Sequence, residues 1–184
     1  MFRSLLFSLL FFSFLNSGCD SAKEKKEMQK SYFDLPAFFE KEIKMLMKQN
    51  PGIEKKINKD GETETKILES IDWKKELAAF VDVDINKPSW IRSFSVDTLF
   101  LTSENFEITY VSLEKGIPIK QVKLLFENNS CSFVQINKKR DNTLFSSFQE
   151  LAYKTGEGYK INGYQKVKFA FDTQYEIITD LIIN

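Results

Sequence analysis

The chain has 184 residues, with 26 basic and 26 acidic side chains, two Cys, 18 Phe and no His. Without His there is no imidazole general base, no HExxH helix and no Cys/His zinc site, and the even charge balance gives no electrostatic footprint for nucleic acid. The length fits one ordinary domain beyond any leader.

The amino terminus carries the most specific pattern. Met1-Phe2-Arg3 is a short positive start, and Leu5 to Leu15 is an apolar run softened by two Ser. A membrane-spanning helix needs about 20 apolar residues, so this run has the length of a signal-peptide core instead. Ser17 and Gly18 then precede Cys19. These residues resemble the lipobox of bacterial lipoproteins, although Asn16 stands where that pattern has an apolar residue and Leu15 lies one position further out. The resemblance implies cleavage before Cys19, diacylglycerol on its thiol and a further acyl chain such as palmitate on the new amino terminus. Two or more chains anchor firmly where one does not. The implied location is the cell envelope, outer membrane ahead of inner.

Asp20 to Ser31 is polar and charge-mixed, too poor in apolar groups to order itself. It reads as a flexible tether that reaches about 35 Å when extended, with a charged helix as the alternative. The expected organisation is therefore a signal peptide at 1–18, lipidated Cys and tether at 19–31, and a single α+β domain at 32–184. With Cys19 acylated, Cys131 is the one remaining thiol. It reads as a small buried hydrophobe in a strand. Asp20-Ser21-Ala22 and Asp97-Thr98-Leu99 resemble the short Asp-Ser/Thr-apolar site of O-glycosylation in Bacteroidota.

Asp34 is a candidate N-cap before Leu35-Pro36, and Leu35, Phe38, Phe39, Ile43 and Leu46 recur at helical spacing up to Asn50-Pro51-Gly52. This predicts a helix over 35–48. Two runs, 53–58 and 62–68, flank Asp60-Gly61, a type I′ hairpin signal. Their Lys, Glu and Thr content predicts a largely solvated ribbon. Ser70 is the expected cap of a second helix with Trp73, Leu77, Phe80 and Val81 on one face. Pro88 then ends the helical region.

From Ser93 onward the period is two. Phe94/Val96/Thr98, Phe106/Ile108/Tyr110, Val122/Leu124/Phe126 and Val134/Ile136 alternate between polar turn clusters, and further strands are expected near 144–153, 159–161, 165–171 and 175–182. The predicted fold is α+β, with two N-terminal helices and a hairpin packed against a curved antiparallel β-meander. The Phe remaining beyond the leader are expected mostly on helix stripes and inward strand positions.

Chemical motifs mostly fail. Asp82-Val83-Asp84-Ile85-Asn86 starts like a calcium loop, but Lys87 and Ser93 occupy the positions that need Gly and Glu. Gly156-Glu157-Gly158 reads as a hairpin turn rather than a dinucleotide fingerprint. No motif calls for a cofactor or a metal. Trp90, where the chain turns into the sheet, is a junction plug or a partner contact at a groove mouth. Asp72 to Leu77 together with Asp84 to Trp90 resembles Bacteroidota lipoproteins, a likeness that carries no activity or catalytic residue. The leading expectation is a lipid-anchored, non-enzymatic binding or interaction module. It would contact the membrane through lipid on Cys19, with a protein or apolar ligand as partner and no nucleic acid. Alternatives are a structural accessory of an envelope complex and a carboxylate-based hydrolase. An open cavity lined by Phe and Tyr would support apolar cargo, and converging acids in a cleft would support the hydrolase.

Overall fold

The computed structural model describes residues 31–182. The expected signal peptide, Cys19, all but the end of the tether and Asp20-Ser21-Ala22 lie outside the described residues. Helix α1 (Leu35–Gln49) starts where Asp34 accepts a hydrogen bond from the Ala37 N–H at 3.2 Å, and it ends at Asn50, whose φ of 44° turns the chain out of the helix. Strands β1 (Gly52–Lys59) and β2 (Glu62–Leu68) follow, joined by Asp60 and Gly61 at φ 52° and 92°. Both angles are positive, as the turn between tightly paired strands requires.

The expected second helix is instead two short ones, α2 (Trp73–Glu76) and α3 (Ala78–Val81). Its cap is Asp72, not Ser70. The Asp72 carboxylate accepts from the Lys74 and Lys75 N–H groups at 3.2 and 3.4 Å, while the Ser70 hydroxyl turns to the Asn50 side chain at 3.5 Å. A carboxylate at a helix N-terminus is the stronger acceptor. Leu77, at φ −96° and ψ 7°, leaves helical geometry and separates the two pieces.

A 3-10 turn (Pro88–Trp90) leads into seven further strands: β3 (Phe94–Phe100), β4 (Phe106–Ser112), β5 (Ile119–Glu127), β6 (Ser130–Asp141), β7 (Phe145–Lys154), β8 (Gly158–Val167) and β9 (Thr173–Ile182). All nine strands form one antiparallel sheet in the order β2-β1-β9-β8-β7-β6-β5-β4-β3. The meander is as expected from the alternation, but the hairpin is not a separate layer. Strand β1 pairs with β9 along its whole length, so the hairpin extends the sheet edgewise. Only β2 is the solvated ribbon foreseen; Ile53 of β1 is fully buried.

Strand β8 also runs unbroken through the place where the pattern suggested two strands. The interruption is Gly163, and a Cβ there would enter the ring of Tyr175 on β9. The aromatic ring fills the space that the glycine leaves, so pairing continues across it.

Along the central strands β5 to β8, alternate residues face the helices. On that face Tyr159, Tyr153, Val134 and Leu124 lie in one cross-strand row, and Ile161, Leu151, Ile136 and Val122 lie in the next. All eight are buried and join Leu35, Phe39, Ile43, Leu46, Trp73 and Phe80 from the helices in one apolar cluster. Phe39 is fully buried, with ring centroids 5.0 Å from Phe80 and 5.3 Å from Tyr153. The Phe residues do not all behave as expected. Phe100 and Phe148 are exposed, and Phe169 and Phe171 are 94% and 97% exposed in the β8–β9 loop. Among the described residues no helix is long and apolar enough to cross a membrane.

Candidate functional site

The helix-covered face holds two buried Tyr, each paired to a Glu. Tyr153 and Tyr159 are opposite each other on β7 and β8. The Tyr153 hydroxyl donates to Glu42 of α1 at 2.7 Å, and Glu42 is only 5% exposed. The Tyr159 hydroxyl donates to Glu76 of α2, which also receives the Lys55 ammonium at 2.6 Å. Burial, and then the carboxylate each phenol serves, push both Tyr pKa values far above the usual phenol range. Two acids therefore do converge on neighbouring side chains, as a carboxylate hydrolase would need. They meet inside the packed interface, each holding a phenol, and among the described residues neither lines any of four surface cavities.

The residues singled out from sequence fall elsewhere. Trp90 is half-buried in the 3-10 turn, its ring 4.6 Å from the Lys87 ammonium and packed against the core cluster, and it lines none of those cavities. Cys131 is half-buried on β6, where burial pushes its thiol up to about 12, so almost none of it is thiolate at neutral pH. Asp97, Thr98 and Leu99 are exposed on the edge strand β3. The Asp84–Asn86 segment is a clamp. Asp84 accepts from the Asn86 N–H at 2.8 Å, while the Asn86 amide accepts from the Tyr32 N–H and donates to the Tyr32 and Phe33 carbonyls. Asn86→Ala removes all three of those side-chain bonds, and a loss of about 2 kcal/mol in unfolding free energy is the expected result by urea titration.

Among the described residues no helix covers the opposite face of the sheet, and alternation alone did not reveal what it displays. Following the register from β1 to β5, Asn58, Glu176, Asn162, Glu150, Asn137 and Gln121 stand side by side in one row. Neighbouring strands lie about 4.8 Å apart, so the row is a continuous ladder of amides and carboxylates. Asn137 donates to Gln121 at 3.1 Å, yet its own side-chain oxygen is buried without a partner, and Glu150 and Asn162 have no side-chain partner among the described residues. One step along the strands Phe148 and Tyr164 form a cross-strand aromatic pair, 43% and 40% exposed. Together with Asn58, Asn162, Gln174 and Glu176 they line an open cavity of about 530 Å³.

Such a surface can accept and donate hydrogen bonds and offer flat apolar rings. Among the described residues there is no cluster of three or more His, Cys, Asp or Glu able to hold a metal. The row was invisible in the sequence because its members lie on six different strands; only the strand order and register bring them together. Comparison with protein-family models, curated proteins and solved structures finds no match to this chain.

Proposed function

We propose that the chain is a lipid-anchored cell-envelope protein, acylated on Cys19, whose folded part is a non-enzymatic binding module. Its contact surface is the bare face of the sheet. One observation carries the second half of this reading: on the covered face the two buried phenols are paired to Glu42 and Glu76, while the bare face presents an amide-carboxylate row in which Glu150 and Asn162 have no side-chain partner among the described residues, beside two exposed rings. The apolar-cargo version loses support, because the Phe and Tyr of the covered face fill the interior instead of lining a hollow. In this reading α1 and the α2–α3 pair act as the permanent cover of a curved sheet, leaving the other side free for a partner. The short apolar run Leu5 to Leu15 and the Ser17-Gly18-Cys19 junction support the anchor.

The anchor and the face are tested together. In envelope membranes the wild-type chain should resist a high-salt wash, and Cys19→Ala should be released by it, since acyl anchoring is indifferent to salt and surface electrostatics is not. Equal retention of both would remove the lipid assignment. In pull-downs from solubilised envelopes, Phe148→Ala with Tyr164→Ala should reduce capture of the bound partner roughly tenfold. Unchanged capture would show that this face is not the contact.

A further inference from the structure

We propose that one end of the sheet, the end bearing the β4–β5, β6–β7 and β8–β9 loops, is a membrane-docking surface that sits directly on an anionic bilayer. This deepens the envelope reading above and rests on it for the compartment, but it concerns the folded domain and does not require the lipid on Cys19.

The first observation is the β8–β9 loop. Phe169 and Phe171 are 94% and 97% exposed, far beyond what a scattered surface apolar residue shows. Phe169 also has φ of 69°, a left-handed conformation that a bulky side chain rarely adopts. The backbone thus carries strain at the point that holds an aromatic ring out in water. The second observation is that the neighbouring loops do the same. The Lys168 N–H donates to the Leu144 carbonyl at 2.9 Å, tying the β8–β9 loop to the β6–β7 loop, and Leu144 is itself exposed. Leu113, at the start of the β4–β5 loop on this end, is exposed as well.

The third observation is charge. Behind the apolar tips stand Lys166 and Lys168 on the same hairpin, with the Lys168 ammonium 5.3 Å from the Phe169 ring, while the loop's one acid, Asp172, accepts from the Tyr164 hydroxyl at 2.8 Å. Between the β4–β5 and β6–β7 loops an open cleft of about 760 Å³ is lined by Lys115, Lys120, Lys139 and Arg140, against Asp141 as its one acid. Lys120 is spent on the Lys115 and Ile117 carbonyls, and Lys139 lies 3.9 Å from Asp141. Arg140 and Lys115 side chains have no partner among the described residues. Apolar tips with a basic collar are the arrangement that enters the interface of a bilayer while its cations meet lipid phosphates.

The fourth observation is where the chain arrives. Tyr32 packs edge-on to Phe94 and Tyr110, at the start of β3 and near the end of β4, so the segment leading from Cys19 joins the domain toward this end. Another exposed apolar group, Phe100 and Leu101 by the β3–β4 loop, lies at the far end beside Glu104 and lacks any basic neighbour in that loop. It therefore serves as the control.

The test uses the chain from position 19 onward, without the apolar leader and carrying Cys19→Ala, mixed with vesicles of phosphatidylcholine alone or with about one-third phosphatidylglycerol. Sedimentation should show binding to the anionic vesicles that weakens at high salt. Phe169→Ala with Phe171→Ala should weaken it roughly tenfold, Lys139→Ala with Arg140→Ala should also weaken it, and Phe100→Ala with Leu101→Ala should leave it unchanged. A Phe169→Trp variant should shift its emission to the blue on binding. Equal binding by the Phe169/Phe171 variant, or an unshifted Trp, would overturn the docking end even if Cys19 proves to be lipidated. Loss of binding only in the Phe100/Leu101 variant would overturn it too. All three pairs of replaced side chains are exposed, so the variants fold and the outcomes bear on docking alone.

Discussion

Phe39→Ala lowers the unfolding free energy by about 3–5 kcal/mol, enough to remove a large part of the total stability of an ordinary domain. Phe39 is fully buried at the point where α1, α3 and β7 meet, with its ring among those of Phe38, Phe80 and Tyr153. Truncation forfeits the burial of the ring and leaves a cavity that rigid neighbours on a sheet cannot close. The urea midpoint should fall with little change in slope, because the surface exposed on unfolding stays nearly the same. Phe171→Ala is the internal comparison. Its ring is 97% exposed, so its removal changes stability by less than about 0.5 kcal/mol. A similar loss in both variants would mean that the α1–sheet interface is not the stabilising layer.

That contrast shows what sequence could and could not supply. Composition treats Phe39 and Phe171 alike. Periodicity separates Phe39, since it recurs with Leu35, Ile43 and Leu46 on a helical stripe. Phe169 and Phe171 also alternate, a pattern that predicts strand positions, yet they fall in the loop beyond the end of β8. The strands themselves were legible wherever one face meets the core, because there side-chain identity must switch with every residue. The Asp60-Gly61 turn was legible because its backbone needs residues that tolerate positive φ. The break between α2 and α3 was not, since Trp73, Leu77 and Phe80 keep helical spacing across it. The continuity of β8 through Gly163 was not legible, because the residue that compensates for it, Tyr175, lies on another strand. The candidate face failed to show for the same reason: Glu150 or Asn162 alone is an ordinary polar strand residue, and only pairing register joins them into a ladder.

Raising the pH above about 10 should unfold the protein steeply, and Tyr153 and Tyr159 are the cause. An unperturbed phenol ionises near 10, whereas burial and the Glu42 and Glu76 carboxylates hold these two phenols protonated to far higher pH in the folded state. Both folded values are raised, so the stability they contribute is fully present below pH 10 and is lost as pH climbs toward the folded values. Over that window the unfolded chain releases two protons that the folded chain keeps, which costs about 1.4 kcal/mol per pH unit for each phenol and about 2.7 for the pair. Tyr110, raised by its own burial, steepens the fall. Lys138 acts in the opposite sense: burial lowers its pKa below 10.5, so its contribution grows with pH and is complete as the phenols begin to act. Tyr153→Phe separates the two roles of that side chain. At pH 8 it destabilises by about 2–4 kcal/mol, because Glu42 stays buried without its donor. Above pH 10 its stability should decline less steeply than that of the wild type, by about 1.4 kcal/mol per pH unit, so the two curves converge. Adding Glu42→Leu should recover much of the loss at pH 8, since replacing both partners leaves no stranded charge. Parallel curves for wild type and Tyr153→Phe above pH 10 would show that Tyr153 is not held protonated by the fold, and the closed, self-paired character assigned to the covered face would fall with it.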